Sequence, residues 1–187
     1  MLKVIQTLNS KNIHTTLVET SEEARALVEK IISQGARVMT MTSATLDTVG
    51  MTKVINESGK YLPVRAELTL AEGAHKRELG AAPDWAIGSV NAITEVGAVI
   101  IASNTGSQMP AYAYGAKQVI WVVGAQKIVK DLNEALERIY EYVLPLEDAR
   151  ARKAYGVGSN VSKMLIINQE VAPNRIYLIL VNQVLGF

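Results

Sequence analysis

The 187 residues are close to the usual size of one domain, and 19 Lys and Arg residues nearly balance 18 Asp and Glu residues, for a net charge of +1. No basic block or acidic tail occurs, so the composition gives no support for binding to nucleic acid or to a lipid surface. Apolar residues make up 49% of the chain, but their runs are shorter than the ~20 residues that span a membrane. The N-terminal segment lacks the parts of a signal peptide, which predicts a soluble, cytoplasmic protein.

Residues that commonly bind metals and cofactors are scarce. The absence of cysteine excludes disulfides, thiolate metal ligands, iron–sulfur ligation by this chain and a thiol nucleophile. His14 and His75 lack the i, i+4 spacing that brings two imidazoles together on a helix. The run from Gly156 to Asn160 contains a Gly-x-Gly without the rest of a dinucleotide fingerprint. We therefore predict neither a metal site nor a cofactor.

The first clear helix is predicted over residues 20–34. Thr20 and Glu23 form a capping box, and Gly35 can terminate the helix. The helical spacing also predicts a buried stripe, formed by Ala24, Leu27, Val28, Ile31 and Ile32.

Strand and helix patterns then alternate along the chain. The pattern predicts strands at residues 36–41, 62–64, 85–87, 96–102 and 119–123, and helices at residues 46–55 and 70–79. The runs Ala98–Ala102 and Val119–Val123 are wholly apolar, which is typical of a parallel sheet covered by helices on both faces. We predict an α/β fold with a doubly wound, open and mostly parallel sheet.

The C-terminal third is predicted to contain one helix and a hairpin. Asp131 to Val143 has the pattern of an amphipathic helix, which we expect to end at Pro145. Two β patterns, Met164–Asn168 and Ile176–Asn182, flank a turn and predict a β hairpin at the edge of the main sheet or on a neighbouring subunit. A single domain spanning residues 1–187 is predicted.

Polar loops follow three of the predicted strands. In an open parallel sheet, ligands bind beyond the carboxyl ends of the strands, where the next helix presents free N–H groups. The first loop contains Ser43 and Thr45, which either bind a phosphate or carboxylate or, in the case of Ser43, cap the helix. The third loop either wraps around a ligand or only turns the chain, and its candidate binding residues are Ser103, Asn104, Thr105 and Gly106.

The second loop, residues 88–97, contains the candidate catalytic group. Glu95 lies between apolar neighbours, and a partly desolvated carboxylate suits a general base or a covalent nucleophile. Alternatively, Glu95 accepts backbone hydrogen bonds and fixes the turn. Asn91 and Thr94 are the candidate ligand-binding residues of this loop.

Four segments also form recognisable motifs in a fixed order. Residues 91–95 read Asn-Ala-Ile-Thr-Glu, residues 43–46 read Ser-x-Thr-Leu, and residues 124–132 read Gly-x-x-Lys-Ile-Val-x-x-Leu. Together with residues 174–187, these segments resemble the lactate-utilisation (LUD) domain family over most of the chain. The resemblance implies a Rossmann-like fold related to ribose-phosphate isomerases, CoA transferases and 5-formyltetrahydrofolate cyclo-ligases. It also implies, for some members, a role beside iron–sulfur proteins in the oxidation of lactate.

Departures from the family pattern indicate its short, stand-alone branch. Met41 and Thr42 stand where many members have glycines, and Val96 and Ala98 replace two hydroxyl residues. Gln118 stands where lactate-operon members often have histidine.

Three functions fit the sequence. The first is an enzyme of the isomerase or CoA-transferase type, in which the loops hold a small anionic organic acid, a phosphate or a CoA-type ligand and Glu95 acts on it. The second is an accessory subunit that binds an organic acid beside an iron–sulfur partner. The third is a ligand-sensing module whose apolar tail, Leu185–Phe187, builds a homodimer.

Overall fold

The computed structural model describes residues 1–187, and a six-stranded parallel sheet forms its centre. In spatial order the strands are β1 (Ile13–Val18), β10 (Ile176–Val181), β7 (Gln118–Gly124), β4 (Trp85–Gly88), β2 (Arg37–Thr40) and β3 (Leu62–Pro63). Every neighbouring pair is parallel. The predicted α/β fold with a mostly parallel sheet is confirmed.

Helices connect most of these strands. They are α1 (Leu2–Ser10), α2 (Ser21–Ile31), α3 (Ala44–Val49), α4 (Met51–Glu57), α5 (Val64–Leu70), α6 (Gly73–Ala81), α7 (Leu132–Glu137) and α8 (Leu144–Tyr155). Ala111–Gly115 and Arg138–Val143 form π-helical turns, and Ala125–Lys127 forms a 3₁₀ turn. No helix combines the length and the apolar character that crossing a bilayer requires.

The two faces of the main sheet bury different partners, because successive side chains of a strand point to opposite faces. Ile120 and Val122 of β7 pack with α2, α3 and α4 in one core cluster. Trp121 and Val123 pack on the other face, against α1, α5 and a second, smaller sheet.

The second sheet contains the strands β8 (Ile128–Val129), β5 (Ala92–Thr94), β6 (Val99–Ser103) and β9 (Lys163–Ile167), in that spatial order. The prediction that the apolar run Ala98–Ala102 belongs to the parallel sheet is wrong. The run forms most of β6, which is antiparallel to both β5 and β9. Its residues are apolar on both faces since Val99 packs towards the main sheet and Ile100 towards α7. Two-sided burial, rather than parallel pairing, explains the pattern.

The two C-terminal strands are present, but they do not form the predicted hairpin. β9 pairs with β6 in the second sheet, whereas β10 lies inside the main sheet between β1 and β7. The alternating side chains of β10 fill both cores, with Leu178 in one and Ile179 in the other. A strand that is apolar on both faces suits an interior position better than an edge.

Two predicted helix boundaries also differ. The helical pattern of residues 46–55 is divided into α3 and α4 at Gly50, whose φ of +79° is left-handed and therefore favours glycine. Pro145 does not end the helix that starts after Asp131, because a π turn precedes α8 and places Pro145 in the first turn of α8. The missing N–H of proline costs little at that position.

Candidate functional site

The polar loops at the carboxyl ends of β2 and β4 lie side by side at one edge of the main sheet. These two strands are neighbours, yet β2 leads to α3 on one face of the sheet and β4 leads to β5 on the other. Adjacent connections that leave in opposite directions open a gap between them, and ligands of open α/β sheets bind in such gaps. We call this gap, between the β2–α3 loop and the β4–β5 loop, the switch crevice.

Lys127 bridges the two sides of the switch crevice. Lys127 ends the 3₁₀ turn that follows β7, and the residue is buried, with 2% of its surface exposed. Nζ donates to Thr45 Oγ1 at 3.0 Å on one side, and to the Val90 carbonyl at 3.1 Å on the other. Ser89 Oγ lies 3.2 Å from Nζ. None of these partners is a carboxylate.

A second basic side chain, Arg138, contacts the β4–β5 loop. Arg138, from the π turn after α7, donates through Nε to the Asn91 carbonyl at 3.1 Å, and its Nη2 is buried without a hydrogen-bond partner. Burial and, to a smaller extent, the positive charge of Arg138 together lower the pKa of Lys127 to about 7. Two basic side chains therefore donate to successive carbonyls of the β4–β5 loop, and neither has a carboxylate partner.

The C-terminal segment contacts Thr45, which in turn contacts Lys127. The Leu185 carbonyl accepts from Thr45 Oγ1 at 3.2 Å and from Gln126 Nε2 at 2.9 Å. Gly186 permits this contact, because a Cβ there would lie 2.8 Å from the Thr45 backbone nitrogen. Leu185 is 3% exposed and packs into the core of its own chain, so its side chain is not free to cover a neighbouring subunit as the sequence suggested.

A groove of about 500 Å³ opens beside the first loop, at the end of β2. Arg65 of α5 donates there to the Thr40 carbonyl at 2.8 Å and to Thr42 Oγ1 at 2.9 Å. Arg150 also lines the groove, but Glu147 binds its guanidinium through two hydrogen bonds of 2.7 Å. Arg65 has no carboxylate partner, although the exposed Asp47 lines the same groove.

The two residues predicted in the first loop have different surroundings. Ser43 caps α3, since its Oγ accepts from the Leu46 N–H at 3.3 Å, which is the structural alternative left open by the sequence. Thr45 is buried and contacts Lys127 directly. Of the predicted residues, Thr45 is the one in hydrogen-bond contact with the buried ammonium.

The predicted residues of the second loop do not meet in one place. Asn91 Oδ1 accepts from the Ala102 N–H at 2.7 Å, and Thr94 Oγ1 accepts from the Ala98 N–H at 2.9 Å, so both side chains fix the backbone around β5 and β6. Glu95 is exposed rather than desolvated, because it follows the end of β5 at the surface. It lines a separate groove of about 480 Å³ that also contains Lys3 and Lys130.

The third loop makes mostly local contacts. Ser103 Oγ donates to Gln108 at 3.1 Å and accepts from the Gly106 N–H at 2.9 Å. Asn104 accepts from Ser162 Oγ at 2.9 Å, and Thr105 donates to Ser107 Oγ at 3.1 Å. These bonds shape the turn after β6. No group of three or more His, Asp or Glu side chains comes together anywhere in a way that could hold a metal ion.

Sequence reasoning missed Lys127, Ser89 and Arg138 as site residues. Lys127 gave a usable signal, because it stands between the apolar strand β7 and the apolar pair Ile128–Val129. A lysine in such a context is either exposed at a bend or buried as a functional amine. Arg138 gave none, since it occupies an ordinary polar position of an amphipathic pattern.

The comparisons with known proteins agree with this fold. The family model of the LUD domain matches residues 1–181. The chain belongs to the LUD domain family. A crystal structure of a DUF162 family protein from Deinococcus radiodurans is similar, with a TM-score of 0.61 and 14% sequence identity over 97% of this chain and 95% of that chain. At that identity the likeness supports the fold alone. No curated protein matches the chain.

Within this LUD domain, three of the four segments that carry the resemblance lie close to Lys127. The Ser-x-Thr-Leu loop contributes Thr45 and the Gly-x-x-Lys-Ile-Val segment contributes Lys127. The C-terminal segment reaches Thr45 through the Leu185 carbonyl. Three segments distant in sequence thus converge on the switch crevice.

Proposed function

We propose that this LUD domain binds a small organic anion, bearing a carboxylate, a phosphate or a CoA-type group, in the switch crevice. The observation that carries the proposal is the Lys127 amine, which is buried among neutral oxygens without a carboxylate. A buried cation is costly unless an opposite charge compensates it. Within the chain no acid does so, and an anionic ligand supplies that charge.

The surrounding charges support the same class of ligand. Arg138 contacts the β4–β5 loop, and its Nη2 has no hydrogen-bond partner. Arg65 lines the groove beside Thr42 and has no carboxylate partner. Planar guanidinium groups favour carboxylate and phosphate oxygens. Arg65, Lys127 and Arg138 thus offer an anion three basic groups that contact neutral oxygens.

Calorimetric titration with lactate, succinate, inorganic phosphate and CoA tests the proposal. We expect at least one of these anions to bind, and Lys127→Met to weaken its binding by about 10- to 100-fold, because a charge-assisted hydrogen bond contributes ~1.5–3 kcal/mol. Lys30→Met is the matched control, since Lys30 is exposed on α2, and this variant should bind as the wild type does.

The proposal would be contradicted if Lys127→Met and Lys30→Met bound the anion with equal affinity. It would also be contradicted if none of the four anions bound to the wild type. The variant Glu95→Gln tests whether the anion binds at Glu95, the predicted catalytic carboxylate, instead of at Lys127. Because Glu95 lines a different groove, its substitution should leave the affinity unchanged. A large loss of affinity in Glu95→Gln would move the site to the Glu95 groove.

We also propose, on the strength of family membership, that the bound anion is connected with the oxidation of lactate or another organic acid. The chain contains no cysteine, so an iron–sulfur partner would have to hold any cluster. Affinity capture of the tagged protein, followed by iron, sulfide and flavin analysis, tests this role. Recovery of the protein without iron or flavin would count against it.

A further inference from the structure

The hydrogen bonds around Lys127 determine where its protons point. Thr45 donates its hydroxyl proton to the Leu185 carbonyl at 3.2 Å, so its Oγ1 accepts from Nζ at 3.0 Å. The Val90 carbonyl, at 3.1 Å, can only accept. Two N–H bonds of Lys127 are therefore committed to these two oxygens.

Ser89 is the third neighbour, and a hydroxyl either accepts or donates. Its Oγ lies 3.2 Å from Nζ and has no other hydrogen-bond partner. With a charged ammonium, Ser89 accepts the third N–H bond. With a neutral amine, it donates its proton to the nitrogen lone pair. The three contacts thus satisfy both charge states, whereas a carboxylate, which only accepts, would favour the charged one.

The charges that face the amine favour its neutral form. Arg138 is the charged group whose field acts on Nζ, and it repels a proton. The side chains of the β4–β5 loop and of the C-terminal segment are not ionisable. Asp47 of α3 is exposed and accepts from Thr52 Oγ1 at 2.6 Å. Together with burial, this environment holds the pKa of Lys127 to about 7.

We infer that Lys127 is a nucleophile for the carbonyl carbon of a small aldehyde or ketone that carries an anionic group, and that Ser89 moves the proton. The inference deepens the proposed function and rests on it. The amine forms a C–N bond while the π electron pair of the carbonyl moves to its oxygen. Ser89 passes the proton lost by nitrogen to that oxygen. Uptake of one proton from solvent then releases water and leaves a protonated imine on Lys127.

The structure also indicates where the anionic group and the entry path lie. Lys127 and Arg138 hold successive carbonyls of one loop, and the free Nη2 of Arg138 can bind a carboxylate attached to the reacting carbonyl. Lys127 is 2% exposed, so a carbonyl compound reaches Nζ only after a neighbouring segment moves. We assign this movement to the C-terminal segment, because it contacts Thr45 beside the amine. That segment is held at the Leu185 carbonyl by two side-chain hydrogen bonds.

Reductive trapping tests the inference. The full chain is incubated with glyoxylate and sodium cyanoborohydride between pH 6 and 9, and its peptides are analysed by mass spectrometry. We expect an adduct on Lys127 that forms at least about tenfold faster than one on exposed Lys30, with a rate that rises through a midpoint near the pKa of about 7. Ser89→Ala should slow the adduct by about tenfold or more, and exposed Ser58→Ala should not.

Lys127→Arg keeps a positive charge but cannot form an imine, so the adduct should vanish while circular dichroism shows a folded chain. A folded wild type that is not labelled at Lys127, or equal labelling of Ser89→Ala and wild type, overturns the inference. Binding of succinate without any glyoxylate adduct would reject the nucleophile and leave the anion site standing. Labelling by neutral acetaldehyde as fast as by glyoxylate would instead reject the anionic group, and with it the proposed function.

Discussion

Protonated Lys127 destabilises the folded protein at low pH. The amine has a pKa of about 7 when buried, against an ordinary value of 10.5. Below pH 7 both the folded and the unfolded chain hold the proton, and the buried charge is not compensated. Between pH 7 and 10.5 the unfolded chain holds one proton more, so this residue makes stability rise with pH.

The free energy of unfolding of wild type relative to Lys127→Met should therefore increase by about 3 kcal/mol between pH 7 and 9.5, at a slope of up to ~1.4 kcal/mol per pH unit. Urea unfolding of both proteins across this range measures the difference. The contributions of the other titrating groups to the pH dependence cancel, because wild type and Lys127→Met share these groups. A difference that stays constant with pH would show that Lys127 does not change its charge there.

The contrast between Glu95 and Lys127 explains which site residues the sequence could predict. Glu95 has apolar sequence neighbours, which suggested desolvation, but its position after the short strand β5 leaves it exposed. Lys127 is buried against Thr45, Ser89 and Val90, which come from two segments distant from it in sequence. Burial of a side chain depends on such tertiary neighbours, and a linear pattern does not contain them.

At the scale of elements, α2 has the strongest local signals. Thr20 accepts from the Glu23 N–H at 3.2 Å, and the Glu23 carboxylate accepts from the Glu19 N–H at 2.8 Å. Ala24, Val28 and Ile32 are buried in one core cluster, as the helical spacing predicted. This helix was predictable because its capping and its buried stripe lie within a dozen residues.

Thr20→Ala removes the side-chain acceptor at the start of α2 and should lower the free energy of unfolding by about 1 kcal/mol. Chemical denaturation measures this change. Thr48→Ala is the control, since Thr48 is exposed within α3 and its hydroxyl donates to the Ala44 carbonyl one turn earlier. The control should change stability by less than about 0.5 kcal/mol. Equal effects of the two substitutions would argue against the cap.

Other elements were not predictable, because their identity depends on distant partners. β6 is antiparallel only because β5 and β9 flank it, and β9 is far along the chain. Pro145 is compatible with a helix because the π turn Arg138–Val143 changes the hydrogen-bond register before it. Neither the pairing of a strand nor a π turn has a reliable signature in a single sequence.

At the scale of the whole molecule, β10 holds the main sheet together. It forms parallel ladders with β1 on one side and β7 on the other, and its residues contribute to both large core clusters. The predicted hairpin was wrong because a turn near residue 173 is a local signal, whereas the pairing of β10 with a strand from the start of the chain is not.

A chain that ends at Asn174 should lose cooperative unfolding, because β1 then has no partner and both cores lose a strand. A chain that ends at Val181 keeps the sheet and loses only the segment that contacts Thr45 and Gln126, so it should fold with lower stability. Urea titrations followed by far-ultraviolet circular dichroism distinguish the two. Cooperative unfolding of the shorter chain would show that the β1–β10 ladder is dispensable.

The position of β10 has a consequence for synthesis. β1 leaves the ribosome long before β10, its partner in the sheet, because Ile13 pairs with Ile176. At 5–20 residues per second, the nascent chain carries an unpaired strand edge for on the order of ten seconds. During that interval the edge is open to chaperones and to neighbouring nascent chains, so the yield of native protein depends on how well the cell shields it.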